Sequence, residues 1–118
     1  MTPELYDYLK CALWSSANDD GEPLDDTFTP EDVAEDSIIT AESDLHAFAS
    51  KAGNLLDGAD MGQVAHDLWL TRNGHGAGFW DRPEVYGGQD NADALSEIAA
   101  EMGEVYAYVG DDGRVYLD

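Results

Sequence analysis

The residue types best suited to chemistry lie between residues 66 and 82. The candidates are His66, Asp67, Arg72, Asn73, His75, Trp80, Asp81 and Arg82. A histidine beside an aspartate can act as a general acid or base, because the pKa of an unperturbed imidazole lies near neutrality. The chain has no Gly-x-Ser-x-Gly motif, and its one cysteine, Cys11, lies in an apolar stretch. No nucleophile motif therefore accompanies the cluster.

This cluster has three interpretations. In the structural one, which the sequence favours, Arg72 and Arg82 pair with Asp67 and Asp81 while nearby glycines allow tight turns against tryptophans. In the second, residues 72–82 form a surface for protein interaction or assembly. In the third, the histidines of the cluster work with its aspartates in a small enzyme.

No metal site or cofactor is predicted. An EF-hand loop has glycine at its sixth position and glutamate at its twelfth, but placing Gly21 sixth puts Ser16 first and Thr27 twelfth. The spacing of His66 and His75 matches no zinc motif. The glycine-rich segment after residue 73 follows a predicted helix and contains no lysine, unlike a phosphate-binding loop.

Acidic residues dominate the charge. The 118 residues include 26 Asp and Glu against 5 Lys and Arg, a formal net charge of −21. Such a field repels phosphate groups, which disfavours direct binding to nucleic acid or to an anionic membrane. Residues 19–44 are the densest acidic stretch and contain no Lys or Arg. Its carboxylates are Asp19, Asp20, Glu22, Asp25, Asp26, Glu31, Asp32, Glu35, Asp36, Glu42 and Asp44.

The spacing within this stretch suggests a partner. Glu31, Asp32, Glu35 and Asp36 are three or four residues apart, a spacing that on one helix brings side chains to about 5–6 Å. A row of negative charges at that distance approximates the phosphates of a nucleic-acid strand and fits a basic groove. The alternative is a solvated face that keeps the protein soluble, or adaptation to a salt-rich host.

The elements that must position these residues are mostly helical. Capping residues and apolar spacing predict about five helices: one from Thr2-Pro3, one from Thr29-Pro30, residues 38–56, residues 60–73 and residues 91–102. Alternating residues around Asp111-Asp112-Gly113 predict a C-terminal β-hairpin, with a short strand at residues 78–80. The sequence thus predicts a single acidic α+β domain over residues 1–118, with Cys11 buried in its core.

Other features concern location and assembly. The sequence has no apolar run of the length that a bilayer requires, and no basic stretch precedes an apolar one near Met1. These features predict a cytoplasmic protein. The exposed edge of the hairpin is compatible with either a monomer or a homodimer.

A resemblance to a known family lies in the eighteen residues at positions 65–82. Their sequence is Ala-His-Asp-Leu-Trp-Leu-Thr-Arg-Asn-Gly-His-Gly-Ala-Gly-Phe-Trp-Asp-Arg. They closely resemble a segment of a family of small acidic proteins of tailed bacteriophages. The resemblance extends to residues 13–16, 20–26 and 108–116, whereas residues 83–90 look variable in such proteins. It implies a host-takeover or counter-defence role, of the anti-restriction or anti-CRISPR type, in the cytoplasm of a bacterial host. It assigns no role to any residue.

Taken together, these observations predict a non-enzymatic phage protein. We expect its acidic stretch to mimic DNA, and to bind and inhibit a host nucleic-acid-binding protein with a basic groove. The rival hypotheses are an interaction or assembly module that uses residues 72–82, and a small enzyme that uses His66 or His75 with Asp67 or Asp81.

Overall fold

The first helix, α1, spans Pro3–Ser15 and begins where its sequence predicts. The computed structural model describes residues 1–74 and 77–118. Thr2 caps α1 by accepting a hydrogen bond from the backbone N–H of Leu5 at 3.2 Å, and a proline at the first helical position suits this start. Cys11 lies on the buried face of the helix, which confirms that prediction.

Four α-helices, rather than five, form in the described residues. The other three are α2 (Glu35–Ala52), α3 (Met61–Arg72) and α4 (Gln89–Glu101). Asp60 caps α3 through hydrogen bonds from the N–H groups of Gly62 and Gln63 at 2.7 and 3.3 Å, as predicted. The predicted helix over residues 38–56 starts at residue 35 and gives way to a 3-10 turn, Gly53–Leu56.

The predicted helix from Thr29-Pro30 is wrong. Pro30–Asp32 form a single 3-10 turn, after which Val33 and Ala34 are extended, with ψ of 136° and 143°. Val33 forms a parallel bridge with Val115, and the Ala34 N–H donates to the Val115 carbonyl at 2.8 Å. Because residues 33 and 34 are extended and pair with a distant strand, they cannot continue a helix.

The C-terminal hairpin forms as predicted. Strands β1 (Ala107–Val109) and β2 (Val115–Leu117) are antiparallel, with Tyr108 opposite Tyr116. The N–H of Leu117 donates to Ser37 Oγ at 3.0 Å, which attaches the hairpin to α2. The fold is therefore mostly helical with a packed C-terminal hairpin, and it forms one compact domain.

The predicted strand at residues 78–80 is a 3-10 turn, Phe79–Asp81, instead. Asp81 Oδ1 accepts from the Gly78 N–H at 3.1 Å, and Thr71 Oγ1 accepts from the Phe79 N–H at 3.2 Å. Gly78 has φ of +131°, and a Cβ there would overlap Thr71 Oγ1. These short-range contacts fold residues 78–81 into a turn, so a strand does not form there.

Aromatic side chains fill the core between the helices. Tyr8 meets Trp69 edge-on at 5.4 Å, and Phe48 stacks on Phe79 at 5.2 Å between ring centres. Trp69 Nε1 donates to Ser15 Oγ at 2.7 Å. These contacts hold α1, α2 and the 79–81 turn around α3. None of the helices in the described part of the chain is long and apolar enough to cross a membrane.

The ionisation of Tyr8 should destabilise the folded protein at alkaline pH. Its side chain is 1% exposed, and burial raises the pKa of its hydroxyl from 10.0 to about 12. As the pH rises, Tyr8 therefore loses its proton in the unfolded chain before it does so in the folded protein. Protonated Tyr8 contributes its full stabilisation of the folded state below pH 10, and this contribution is lost as the pH rises to about 12. We expect this residue to lower the free energy of unfolding by roughly 2–3 kcal/mol across that window, measured by urea denaturation.

The control is Tyr8→Phe, which should show a shallower alkaline decline than the wild type. Part of the decline should remain, because burial, followed by the hydrogen bond to Asp67, also raises the pKa of Tyr86 far above its ordinary value. Equal slopes for both proteins would contradict the assignment to Tyr8.

Candidate functional site

Asp67 is the centre of the polar cluster and is completely buried. Its Oδ2 accepts from Tyr86 Oη at 2.6 Å, and its Oδ1 accepts from Gln63 Nε2 at 3.0 Å. Arg82 Nε lies 3.2 Å and His66 Nδ1 lies 3.5 Å from the same Oδ1. The sequence predicts that Arg82 pairs with Asp67 or Asp81, and the structure shows that its partner is Asp67. This ion pair supplies the opposite charge that a buried carboxylate needs.

Arg72 is buried as well, but its predicted pairing with Asp67 or Asp81 is wrong. Its Nη1 donates to Asp44 Oδ2 at 2.9 Å and to Tyr8 Oη at 3.1 Å. Its Nε and Nη2 donate to the carbonyls of Gly103 and Met102 at 2.8 and 3.1 Å. Burial opposes the charge, but Tyr8 and Asp44 favour it, so the pKa of Arg72 lies above its ordinary value.

The remaining members of the cluster have separate positions. Asn73 joins the end of α3 to the segment before β1, because its Oδ1 accepts from the Val105 N–H at 2.8 Å. Asp81 closes its own turn, whereas the Trp80 side chain is 48% exposed. His75 lies outside the described residues. Most of the cluster thus ties α3 to neighbouring elements, which supports the structural interpretation.

The His66–Asp67 pair has little support as a catalytic pair. Arg82 is closer to the Asp67 carboxylate than His66 is. The adjacent thiol of Cys11 donates to the His66 carbonyl at 3.7 Å. Burial, followed by the charge of Asp67, raises the pKa of Cys11 to about 12. The thiol stays protonated near neutral pH and is a poor nucleophile.

The acidic stretch lies on exposed turns and on the start of α2. Nine of its carboxylate residues are exposed: Asp19, Asp20, Glu22, Asp25, Asp26, Glu31, Glu35, Asp36 and Glu42. Asp32 and Asp44 are half-buried. We call the nine exposed residues the acidic surface. Asp44, paired with Arg72, belongs to the interior network.

One geometric prediction for this surface is wrong. Glu31 and Asp32 lie on the 3-10 turn, and Glu35 and Asp36 lie in the first turn of α2, so the four carboxylates do not share one helix. The extended residues 33 and 34 separate the pairs. Asp32 Oδ2 also accepts from the Thr29 N–H at 2.8 Å, which gives Asp32 a local structural contact.

Main-chain bonds hold the first part of the acidic surface. The N–H of Leu24 donates to the Ser16 carbonyl, and the N–H of Asn18 donates to the Glu22 carbonyl, both at 2.9 Å. Asn18 Oδ1 also accepts from the N–H groups of Asp20 and Glu22 at 2.9 and 3.0 Å. The carboxylates of this loop are therefore free to face solvent or a partner.

The five Lys and Arg residues, all within the described part of the chain, do little to neutralise this surface. Arg72 is buried, and Arg82 pairs with buried Asp67. Lys10, Lys51 and Arg114 are exposed. No Lys or Arg occurs between residues 10 and 51. Since Arg72 and Arg82 are each paired with one carboxylate, these two ion pairs leave the net negative charge of the rest of the molecule unchanged.

A cleft of about 820 Å³ adjoins the acidic surface between α1 and the beginning of α3. Its walls include Tyr6, Asp7, Trp14, Asp25, Asp60 and His66. Trp14 is 60% exposed, and its ring stacks against His66 at 6.3 Å between ring centres. Sequence reasoning missed this cleft, because its walls come from four separate parts of the chain.

No family model, curated protein or solved structure matches this chain. Within residues 1–74 and 77–118, no group of three or more His, Cys, Asp and Glu side chains is arranged to hold a metal ion.

Proposed function

We propose that this protein binds a basic nucleic-acid-binding protein of a bacterial host and blocks its nucleic-acid groove with the acidic surface. The observation that carries the proposal is the set of nine exposed carboxylates on residues 19–42, in a stretch without a Lys or Arg. The resemblance to small acidic phage proteins adds the context of counter-defence, of the anti-restriction or anti-CRISPR type, in the host cytoplasm. The protein acts by binding, without catalysis.

Charge supplies the attraction. Duplex DNA has one negative charge per roughly 1.7 Å of helix axis, and a groove that holds it releases counterions. A dense acidic surface releases the same counterions and speeds the encounter with a basic partner. The same charge repels nucleic acid, so the protein competes with DNA or RNA and does not bind it.

Apolar side chains near the carboxylates supply specificity. Ile39 is 59% exposed on α2 between Asp36 and Glu42, and Trp14 is exposed at the adjoining cleft. Interfaces gain affinity from a few such anchors, whereas rim charges mainly set the rate and the register. In the described residues β1 pairs only with β2, so its other edge could pair with a second copy of the chain. The acidic surface can therefore be presented by a monomer or by a homodimer.

The proposal predicts that the position of the charge matters more than its amount. A surface variant carries Asp19→Lys, Asp20→Lys, Asp26→Lys and Glu42→Lys. A control variant of equal net charge carries Glu84→Lys, Glu97→Lys, Glu101→Lys and Asp111→Lys. All eight residues are exposed. We expect the surface variant to bind the partner about a hundredfold or more weakly, and the control variant to bind much as the wild type does.

The measurement begins with tagged wild-type protein, which captures proteins from a bacterial lysate and releases them along a salt gradient. A purified captured protein must itself bind duplex DNA and lose that DNA when the wild type is added. Its affinity for the two variants is then compared. Equal loss in both variants, or a partner that keeps its DNA, would contradict the proposal.

A further inference from the structure

The cleft beside the acidic surface combines an exposed indole with carboxylates. Trp14 stands on one side, and Asp7, Asp25 and Asp60 contribute to the walls. Asp25 belongs to the acidic surface, so the cleft and that surface are continuous. A partner that covers one therefore contacts the other.

The entrance to α3 is shaped to hold one of these carboxylates. A Cβ at Gly62 would overlap Asp7 Oδ2, so a larger residue at position 62 would displace the carboxylate. Asp60 Oδ1 is occupied by the N–H groups of Gly62 and Gln63, which fixes the orientation of its carboxylate. Local hydrogen bonds thus fix the Asp60 carboxylate, and the glycine at position 62 leaves room for the Asp7 carboxylate beside it.

The charge of the cleft favours a cation. Arg82 lines it, but its charge is offset by Asp67 directly behind, with 3.2 Å between Nε and Oδ1. Lys10 lies over the Tyr6 ring, 5.9 Å from its centre, and is the other cation in the walls. The walls therefore contain three carboxylates and two permanent cations, and the charge of one of these cations, Arg82, is already offset by Asp67 behind it. An anion would meet this excess as well as the field of the whole protein.

We propose that the cleft receives an arginine side chain of the basic partner, with the guanidinium against Trp14 and near Asp7 and Asp25. This inference rests on the proposed function, because it names the partner group that the same surface engages. A planar guanidinium stacks on an indole and donates two parallel hydrogen bonds to a carboxylate, whereas an ammonium group is a strongly hydrated point charge. Trp14 then acts as the buried anchor of the interface.

The direct test uses a single arginine as probe. N-acetyl-arginine amide is titrated into the wild-type protein at millimolar concentrations, and the indole N–H signals of the tryptophans are followed by NMR. We expect the Trp14 signal to shift in a saturable way while that of Trp80 does not. N-acetyl-citrulline amide, which has nearly the same shape without the charge, should produce no shift. Equal shifts from both probes, or none from arginine, would overturn the proposal.

Inorganic phosphate tests the opposite occupant. If phosphate shifts the Trp14 signal in a saturable way and arginine does not, the cleft binds anions through Lys10, His66 and Arg82, and the proposal is wrong. The surface variant described above separates this inference from the proposed function. Its four changes leave the cleft walls intact, so the single-arginine probe should still shift Trp14 even where partner binding is lost.

The second test uses the partner. Trp14→Ala should weaken binding about tenfold or more, Trp14→Phe should weaken it less, and Trp80→Ala should leave it near the wild-type value. If Trp14→Ala has no effect on partner binding while the surface variant no longer binds, the acidic surface acts without the cleft. In that case this inference is wrong and the proposed function stands. If Trp14→Ala abolishes binding while the surface variant binds normally, the proposed function fails instead.

Discussion

Replacing Arg72 with methionine should lower the free energy of unfolding by about 3–4 kcal/mol. The substitution keeps the side-chain volume but removes every polar contact of the guanidinium. Tyr8 Oη and the carbonyls of Met102 and Gly103 lose their donor, and Asp44 loses its cation. The estimate lies at the lower end for a buried pair, because the Asp44 side chain is 28% exposed. Urea denaturation near neutral pH measures the change.

Arg114→Met is the matched control. This arginine is exposed near the hairpin turn, so its loss should change the free energy of unfolding by less than about 0.5 kcal/mol. The double variant Arg72→Met/Asp44→Asn should lose less than the sum of its single variants, since both act on one ion pair. An Arg72→Met protein of wild-type stability would support the interaction-module hypothesis for residues 72–82.

The second large effect is expected at Asp67. Asp67→Ala removes a fully buried carboxylate, which leaves Tyr86 Oη and Gln63 Nε2 without their acceptor and Arg82 without its ion-pair partner. We expect the free energy of unfolding to fall by about 3–5 kcal/mol. Asp67→Asn should fall between this variant and the wild type, because its amide oxygen can still accept one of these hydrogen bonds.

Asp81→Ala provides the comparison for Asp67. Asp81 is exposed and accepts one hydrogen bond, from the Gly78 N–H, so about 1 kcal/mol is expected. The enzyme hypothesis makes a different prediction, in which Asp67→Asn keeps the fold but changes a pH-rate profile. A stable, folded Asp67→Ala protein would show that the carboxylate is not needed for structure and would favour that hypothesis.

The parts of the fold that the sequence predicted depend on local contacts. The Thr2 and Asp60 caps act within three residues, and the hairpin closes around Asp111-Asp112-Gly113. The helix expected after Thr29 failed for a long-range reason. Its capping contact between Thr29 and Asp32 does form, but Val33 pairs with a strand more than eighty residues away. No local sequence pattern indicates that a distant strand will pair with these residues.

In the polar cluster too, contacts between residues close in sequence were predictable and long-range contacts were not. The sequence predicted that Arg82 pairs with Asp67 or Asp81, because residues 65–82 contain only these two acids. The partner of Arg72 was not, since Asp44 lies 28 residues away and resembles the other acids of its stretch. Gln63 was within reach of sequence reasoning, because it is four residues before Asp67 on α3 and so shares its face. Tyr86 carried no such signal, since residues 83–90 have no periodic pattern.

The main-chain bonding of the loop between Ser16 and Leu24 has a consequence for its acidic side chains. Because backbone groups and Asn18 hold this loop, its acidic side chains can be exchanged at little cost to stability. Substitutions can therefore move, add or delete charges there while the helices and the polar cluster keep their contacts. The path of the loop and its charge pattern can thus change independently of each other.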